Sequence, residues 1–421
     1  MTRIFADVPG AGVLDFVAAW YRKAVDFMAD NPVIKTAFVS TNSITQGEQV
    51  GILWSDLLKR GVKIHFAHRA FQWASEARGT AAVHCVIIGF TLHDVEDKRI
   101  FEYKKQQGDP HEIKAKGINP YLVDAPTALI ERRSYPLVNG TPEMVYGSMP
   151  IDHGNLILSG QERSDLLTAC PSAEKYVRQY LGGGEFINNI PRYCLWLVDC
   201  VPADLRLPGI IRDRIEANQI YRRSSQRPQT KELAKTPALF GEIRQPSTQY
   251  LLIPKVSSEN RDYIPMGFCS PEIIASGTTL IIPMATFYVF GILQSAMHMA
   301  WMRTVGGRME ISYQYSAGIV YNNFPWPQSP TDKQKQTIET AAQAILDARA
   351  QFPDSSLADL YDPLSMPETL TKAHQTLDGA VDMAYAKRKF TGDRDRVAFL
   401  FALYQQLSSP LEPNRIPRRK R

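Results

Sequence analysis

An α/β region leading into an α+β region and then a small helical one is the architecture this sequence predicts. Three observations carry it. Strand and helix patterns alternate over residues 1–117, which implies a sheet covered on both faces. A succession of prolines from Pro136 to Pro283 then cuts residues 118–328 into strand-length pieces rich in glycine and aromatics. Such a composition suits an irregular domain whose function lies on loops. Residues 329–408 turn helical, and 409–421 form a basic tail.

In the first region Leu14, Val17, Ala18, Tyr21, Val25 and Met28 recur at helical spacing. Thr36–Ser40 reads as a buried strand. Gln46–Lys59, with Val50, Leu53, Trp54, Leu57 and Leu58, reads as a helix ending at Gly61. Val62–Phe66 and Ala82–Gly89 are further strands, joined by a stretch without helical pattern, which allows an antiparallel edge strand. In the second region Met297–Arg303 is helical with Met299 and Met302 at core spacing, and Gly307–Ser316 alternates as one strand, placing Glu310 and Ser312 on one face. Three stripes follow: Ile338, Ala341, Ala342, Ile345, Ala348; then Leu370, Ala373, Leu377, Val381, Ala384, with Pro367 near the first turn; then Val397, Leu400, Phe401, Tyr404, Leu407. They make a small bundle or cap.

The chain has 421 residues, enough for two or three domains, with 44% hydrophobic and 22% charged residues, as in soluble globular proteins. Its longest apolar stretch, Thr278–Trp301, is broken by Pro283, Gln294, Ser295 and His298, so no membrane partner is expected. The amino terminus, with Arg3 and Asp7, does not read as a signal peptide. Cys85, Cys170, Cys194, Cys200 and Cys269 show neither a C-x-x-C pair nor Cys/His ligand spacing. They read as reduced thiols of a cytoplasmic protein, without zinc or disulfides. The net charge of +5 is mild, but residues 206–235 hold eight basic against three acidic residues.

Several groups carry candidate chemistry. Arg212, Arg214, Arg222, Arg223 and Arg227, interleaved with Tyr221, have the composition of a phosphate-tracking surface. A solvated helix face with Asp213 and Glu216 pairing locally is the other reading. Asn42, Ser43 and Gln46 lie off the carboxy end of the first strand, the edge where ligands sit in open sheets. They are cleft-lining or DNA-backbone candidates, against helix capping by Ser43 or Thr45. Phe71 and Trp73 follow the second strand. An enzyme that alkylates a base must hold it, flipped out, between flat side chains, and stacking contributes about 1–3 kcal/mol per base; filling the core is the alternative for both rings. His65 and His68 lack a third metal ligand. Ser40, Ser43 and Asp15 assemble no nucleophile triad. Gly182-Gly183-Gly184 reads as a turn rather than a phosphate loop, and the tail Arg415–Arg421 as solvated or on phosphate.

Longer strings are more specific: Phe38-Val-Ser-Thr-Asn-Ser-Ile-Thr-Gln-Gly-Glu-Gln49 and Tyr321-Asn-Asn-Phe-Pro-Trp-Pro327, both polar where core packing does not call for it, with Leu14–Trp20, Ala81–Gly89, Leu239–Ile243 and Ser258–Arg261. With these, residues 13–407 resemble the carboxy-terminal portion of the MmeI family, type IIL/IIG restriction–modification enzymes that methylate adenine N6 in DNA. The resemblance implies that 1–117 is the carboxy-terminal part of a class I S-adenosylmethionine-dependent methyltransferase sheet. Residues 118–328 would be a target-recognition domain and 329–408 the helical carboxy-terminal domain. Double-stranded DNA is the implied partner, and S-adenosylmethionine the cofactor of the complete enzyme. Phe71 falls where the family packs an aromatic on the flipped adenine. Glu310 and Ser312 fall at base-reading positions, where a carboxylate can accept from cytosine and serine can pair either way; Ser312 departs from family pairs such as Glu/Arg or Lys/Asp.

The family's donor loop and its Asn-Pro-Pro-Tyr/Phe loop both precede the matching segment, and Asn31-Pro32-Val33 is not the latter. The chain alone is therefore expected to bind no S-adenosylmethionine tightly and to transfer no methyl group. It is expected to associate with an upstream chain carrying the rest of the methyltransferase, because half an open sheet leaves a raw edge. A non-catalytic sequence-specific DNA-binding protein is the alternative. An unrelated metabolic α/β enzyme would need a complete cofactor loop, which is not found.

Overall fold

The computed structural model describes residues 1–73, 83–103, 108–198, 200, 209–309 and 312–408. Helix α1 (Ala18–Met28) buries Tyr21, Val25 and Met28, the stripe that its spacing sets. Strand β1 (Thr36–Thr41) runs through a 3-10 turn at Asn42–Thr45 into α2 (Glu48–Lys59). Fully buried Trp54 ties α2 to that turn, its indole N–H donating to the Ile44 carbonyl at 2.8 Å. Gly61, at φ 89°, then turns the chain where other residues would be strained.

Strands β2 (Lys63–Trp73), β3 (Val83–Thr91), β4 (Lys98–Glu102) and β5 (His111–Ala115) complete a sheet of order β1-β3-β2-β4-β5. β3 is antiparallel to both β1 and β2, and β2 is parallel to β4. The antiparallel strand expected at the edge is thus internal, because β3 inserts between β1 and β2 and pairs with both. The second strand is also longer than Val62–Phe66 and runs on to Trp73, carried past register shifts at Ile64/Phe66 and His68/Phe71. Phe71 and Trp73 therefore sit in a strand, not on a loop. Opposite Phe66 stands Gly89, where a Cβ would come within 2.2 Å of the Phe66 ring. The glycine lets that ring lie across the strand.

The middle region is built of short pieces: β6 (Val145–Tyr146), β7 (Ile157–Ser159), α3 (Gly160–Ala169), β8 (Val177–Leu181), α4 (Gly183–Asn188), β9 (Arg192–Leu195), α5 (Gly209–Ser224), α6 (Pro228–Glu232), β10 (Tyr250–Pro254), β11 (Val256–Ser258), β12 (Gly267–Cys269), β13 (Ile274–Ala275), β14 (Thr279–Pro283), α7 (Phe287–Leu293), α8 (Ala296–Val305), β15 (Gly307–Met309) and β16 (Ser312–Gln314). They assemble as three small sheets, β12-β10-β14-β6, β13-β8-β9-β7 and β11-β16-β15. Two local expectations change. Gly183 and Gly184 open α4 rather than forming a turn. Gly307–Ser316 is a hairpin, since Met309 pairs with Ser312 across a chain reversal. Period-2 alternation survives a tight reversal, so the pattern alone does not separate one strand from two.

Helices α9 (Asp332–Ala350), α10 (Leu357–Leu360), α11 (Glu368–Tyr385) and α12 (Asp393–Ser408) follow. Thr331 and Gln334 form a capping box on α9, and Pro367 is the N-cap of α11. A Cβ at Gly291 would lie 2.7 Å from Ile338 Cγ2, so a glycine in α7 lets α9 pack closely. One continuous core runs from Phe5 to Tyr404, joining the first sheet, α7, α8 and the bundle. A second apolar cluster, Leu156 to Ile274, underlies β7–β9. No helix among the described residues is long and apolar enough to cross a membrane.

Candidate nucleic-acid interface

The start of α2 meets the hairpin β15–β16. Gly47, at φ 66°, donates its N–H to the Val305 carbonyl at 3.0 Å, and a Cβ there would lie 3.2 Å from Gly307 Cα. Both the backbone angle and the close approach select glycine. Beside this contact opens a cleft of about 490 Å³. Asp15, Thr41, Asn42, Ser43, Gln46 and Glu48 line it from the first region; Arg132, Tyr146, Lys255, Arg308, Gln314, Tyr315 and Ser316 line it from the second.

Asn42, Ser43 and Gln46 are therefore brought together. Capping does not account for them: Ser43 Oγ shares a hydrogen bond with Thr41 Oγ1 at 3.0 Å, and Thr45 Oγ1 donates to the Asn42 carbonyl at 2.8 Å. The N-cap of α2 is Gly47, without a side-chain bond. Gln46 Oε1 is buried with no hydrogen-bond partner, a costly state that a donor from a ligand would relieve.

Three cations border this cleft, and sequence reading missed all of them. Lys255 Nζ lies 4.9 Å over the Tyr146 ring, and Arg132 stands 3.6 Å from Glu48. Arg308 Nη1 donates to Glu259 Oε2 at 2.8 Å. They are far apart in sequence and only the fold gathers them, so charge density along the chain carried no signal.

That density favoured α5, where the structure corrects one assignment. Arg222 is wholly buried. Its Nε donates to the Ile151 carbonyl, Nη1 to Leu233 and Thr236, and Nη2 to Pro150 and Leu239, all at 2.8–3.0 Å. Every guanidinium N–H is used, so Arg222 is a structural tie and not a DNA contact. Arg214 Nη1 donates to the Asn155 and Ile157 carbonyls at 3.0 and 3.2 Å and Nη2 pairs with Glu162, its side chain partly exposed. Arg212, Arg223 and Arg227 are exposed.

Phe71 is half-buried in an aromatic group on β2 and β4, its ring 5.1 Å from that of Tyr103. His68 stacks on Phe101 at 4.4 Å and shares a 2.8 Å hydrogen bond between Nδ1 and the Tyr103 hydroxyl; burial depresses its pKa. Phe71 does not line the cleft. The ring of Trp73, Glu310 and the basic tail fall outside the described residues, while Ser312 is half-buried on β16 and pairs with Met309 and Ser258. No group of three or more His, Cys, Asp or Glu poised for a metal occurs among the described residues.

The polar string Tyr321–Pro327 is a buried joint. Asn323 is fully buried and donates from Nδ2 to the carbonyls of Glu131, Gly318 and Ile319, while its Oδ1 accepts from Arg133 and Tyr404. Asn322 donates to the Arg133 carbonyl at 2.9 Å. Core packing accounts for this string after all, because its amides satisfy backbone groups that the fold buries.

Known proteins share this arrangement. Models of one family match three successive parts: the MmeI DNA-methyltransferase domain at residues 1–102, the MmeI target recognition domain at 124–328 and the MmeI C-terminal domain at 330–412. DNA methyltransferase A of Bacillus subtilis (strain 168) is 39% identical over 411 residues, 97% of this chain and 45% of that protein. The solved structure of the type IIL restriction–modification enzyme MmeI in complex with DNA superposes with a TM-score of 0.89 at 49% identity, covering 96% of this chain and 54% of that one. The chain thus spans about half the length of the relatives it matches. With matches to all three family models in order and the same fold at 49% identity, the chain belongs to the MmeI family.

Proposed function

We propose that this chain is the target-reading part of a site-specific DNA adenine-N6 methyltransferase, working in the cytoplasm on double-stranded DNA. The observation that carries this reading is the cleft itself. Lys255 and Arg132 stand at its border, and the unpaired Gln46 Oε1 lies inside with Asn42 and Ser43. A cationic rim suits phosphates and uncommitted polar groups suit base or sugar edges. Arg212, Arg214 and Arg223 on α5, with Arg227 at the N-cap of α6, would add phosphate contacts. Phe71 is the proposed stacking partner of a flipped adenine, with Trp73 beside it, and Glu310 and Ser312 the proposed base readers on the hairpin. Residues 1–117, 118–328 and 329–408 are the proposed domains.

S-adenosylmethionine is the proposed methyl donor of the complete enzyme, and the described residues do not fit it. In open sheets the ligand crevice forms at the strand ends between neighbours, and β1 has no neighbour on its outer side among the described residues. The cleft's tyrosines are already engaged, Tyr146 under Lys255 and Tyr315 by His298. The donor is therefore proposed to be held by a polypeptide that completes the sheet at β1. Supporting this, Phe16, Trp20, Phe27, Val33 and Val39, on or beside α1 and β1, are each more than half exposed, an apolar patch of the kind that marks an interface.

Labelled donor incubated with enriched duplex and the chain, alone and with the unmatched portion of the B. subtilis relative, tests this. Incorporation only in the mixture is expected. Incorporation by the chain alone would refute the division of labour. Specific duplex binding without incorporation in either case would favour the second reading, a non-catalytic DNA-binding protein, which the open β1 edge also supports.

A further inference from the structure

We propose that Arg308 is a two-pronged DNA contact, and that Glu259 is the positioning residue that aims it and anchors the hairpin to β3. The inference rests on the DNA-reading role above and deepens it. Arg308 sits on β15 with its side chain largely buried, yet it borders the cleft. One edge of its guanidinium is held by Glu259 Oε2 at 2.8 Å, and one face lies over the Tyr313 ring at 4.3 Å. The Tyr313 hydroxyl donates back to the Glu259 carbonyl at 3.2 Å, closing the triangle. Arg308 Nε is buried without a hydrogen-bond partner.

A guanidinium fixed this way keeps spare N–H groups in a set plane. That geometry fits a pair of adjacent acceptors, either O6 and N7 of guanine or two oxygens of one phosphate. A lysine ammonium cannot reproduce it. The other Glu259 oxygen lies 3.6 Å from Nε2 of His84 on β3, the residue paired with Gln72 and so next to the Phe71 position on β2. One carboxylate thus spans from the recognition hairpin to the methyltransferase sheet.

The test starts with the full chain and a randomised duplex library. The enriched duplex and a scrambled one are then titrated, across salt, against wild type, R308K, R308A and E259Q. R308K keeps the charge but should lose about ten- to a hundredfold in affinity for the enriched duplex. A loss confined to that duplex identifies guanine. An equal loss on both, with a salt slope lowered by about one in R308A, identifies phosphate. E259Q should weaken binding in the same pattern as R308K, on the enriched duplex alone for guanine or on both duplexes for phosphate, at an unchanged unfolding midpoint. R308K binding both duplexes like wild type would overturn the contact, and E259Q keeping wild-type affinity for both duplexes, with or without a loss of stability, would overturn the positioning role. If wild type enriches nothing, the DNA-reading role fails and takes this inference with it. Enrichment by wild type with all variants unaffected would reject this inference alone.

Discussion

A guanidinium whose N–H groups all end on carbonyls has nothing left for a phosphate, and Arg222 is in that state. Arg222→Ala should remove five hydrogen bonds, leave the Ile151 and Leu239 carbonyls without their donor and cost about 3–5 kcal/mol, read as a fall in the urea midpoint. On the same helix, Arg212→Ala and Arg223→Ala should each lower the salt slope of duplex binding by about one and leave that midpoint unchanged. An unaltered slope in both would remove α5 from the interface. Residue types alone cannot separate these cases, since burial decides and Arg222 and Arg223 are chain neighbours. Gly47 was equally silent in sequence. Gly47→Ala should cost about 1–2 kcal/mol, from the left-handed backbone and the contact with Gly307, measurable by thermal unfolding.

Helices were the most legible elements, because each stripe that recurs at helical spacing, such as Ile338 to Ala348, ends in the core. The reversal between β15 and β16 and the internal place of β3 were not, since pairing partners far along the chain decide both. The joint between α11 and α8 shows what a stripe omits. Asp378 on α11 accepts from the Ala296 N–H at 2.6 Å and the Tyr263 hydroxyl at 2.7 Å, with Asp382 and Arg396 nearby. Burial raises its pKa from 3.8 to about 6. The folded state thus holds the proton more tightly than the unfolded one, so this contribution to stability is complete below about pH 4 and is lost as pH rises through about 6. The urea midpoint of wild type relative to Asp378→Asn should fall between those values. His298 and His374, both pushed down to about 3 by burial, gain stability over the same window, but in both proteins alike. A difference that rises with pH would mean that Asp378 acts as an ionised cap.

At the scale of the whole molecule, one core welds the sheet, α7, α8 and the bundle into a support for the cleft, while the β1 side stays open and apolar. The family strings made this assembly legible, but not where the cleft's cations come from. Trp20→Glu combined with Phe27→Glu should abolish capture of the unmatched portion of the B. subtilis relative while leaving duplex affinity intact; co-purification and anisotropy check the two halves separately. Loss of duplex binding instead would place DNA on the α1 face. The most direct measurement of all is the anisotropy of a labelled enriched duplex against a scrambled one, titrated with the purified chain at about 50 and about 200 mM salt. A chain that reads sequence keeps its preference at the higher salt while the scrambled duplex falls away. Equal affinities at both salts, or no binding at the lower, would contradict target reading by this chain.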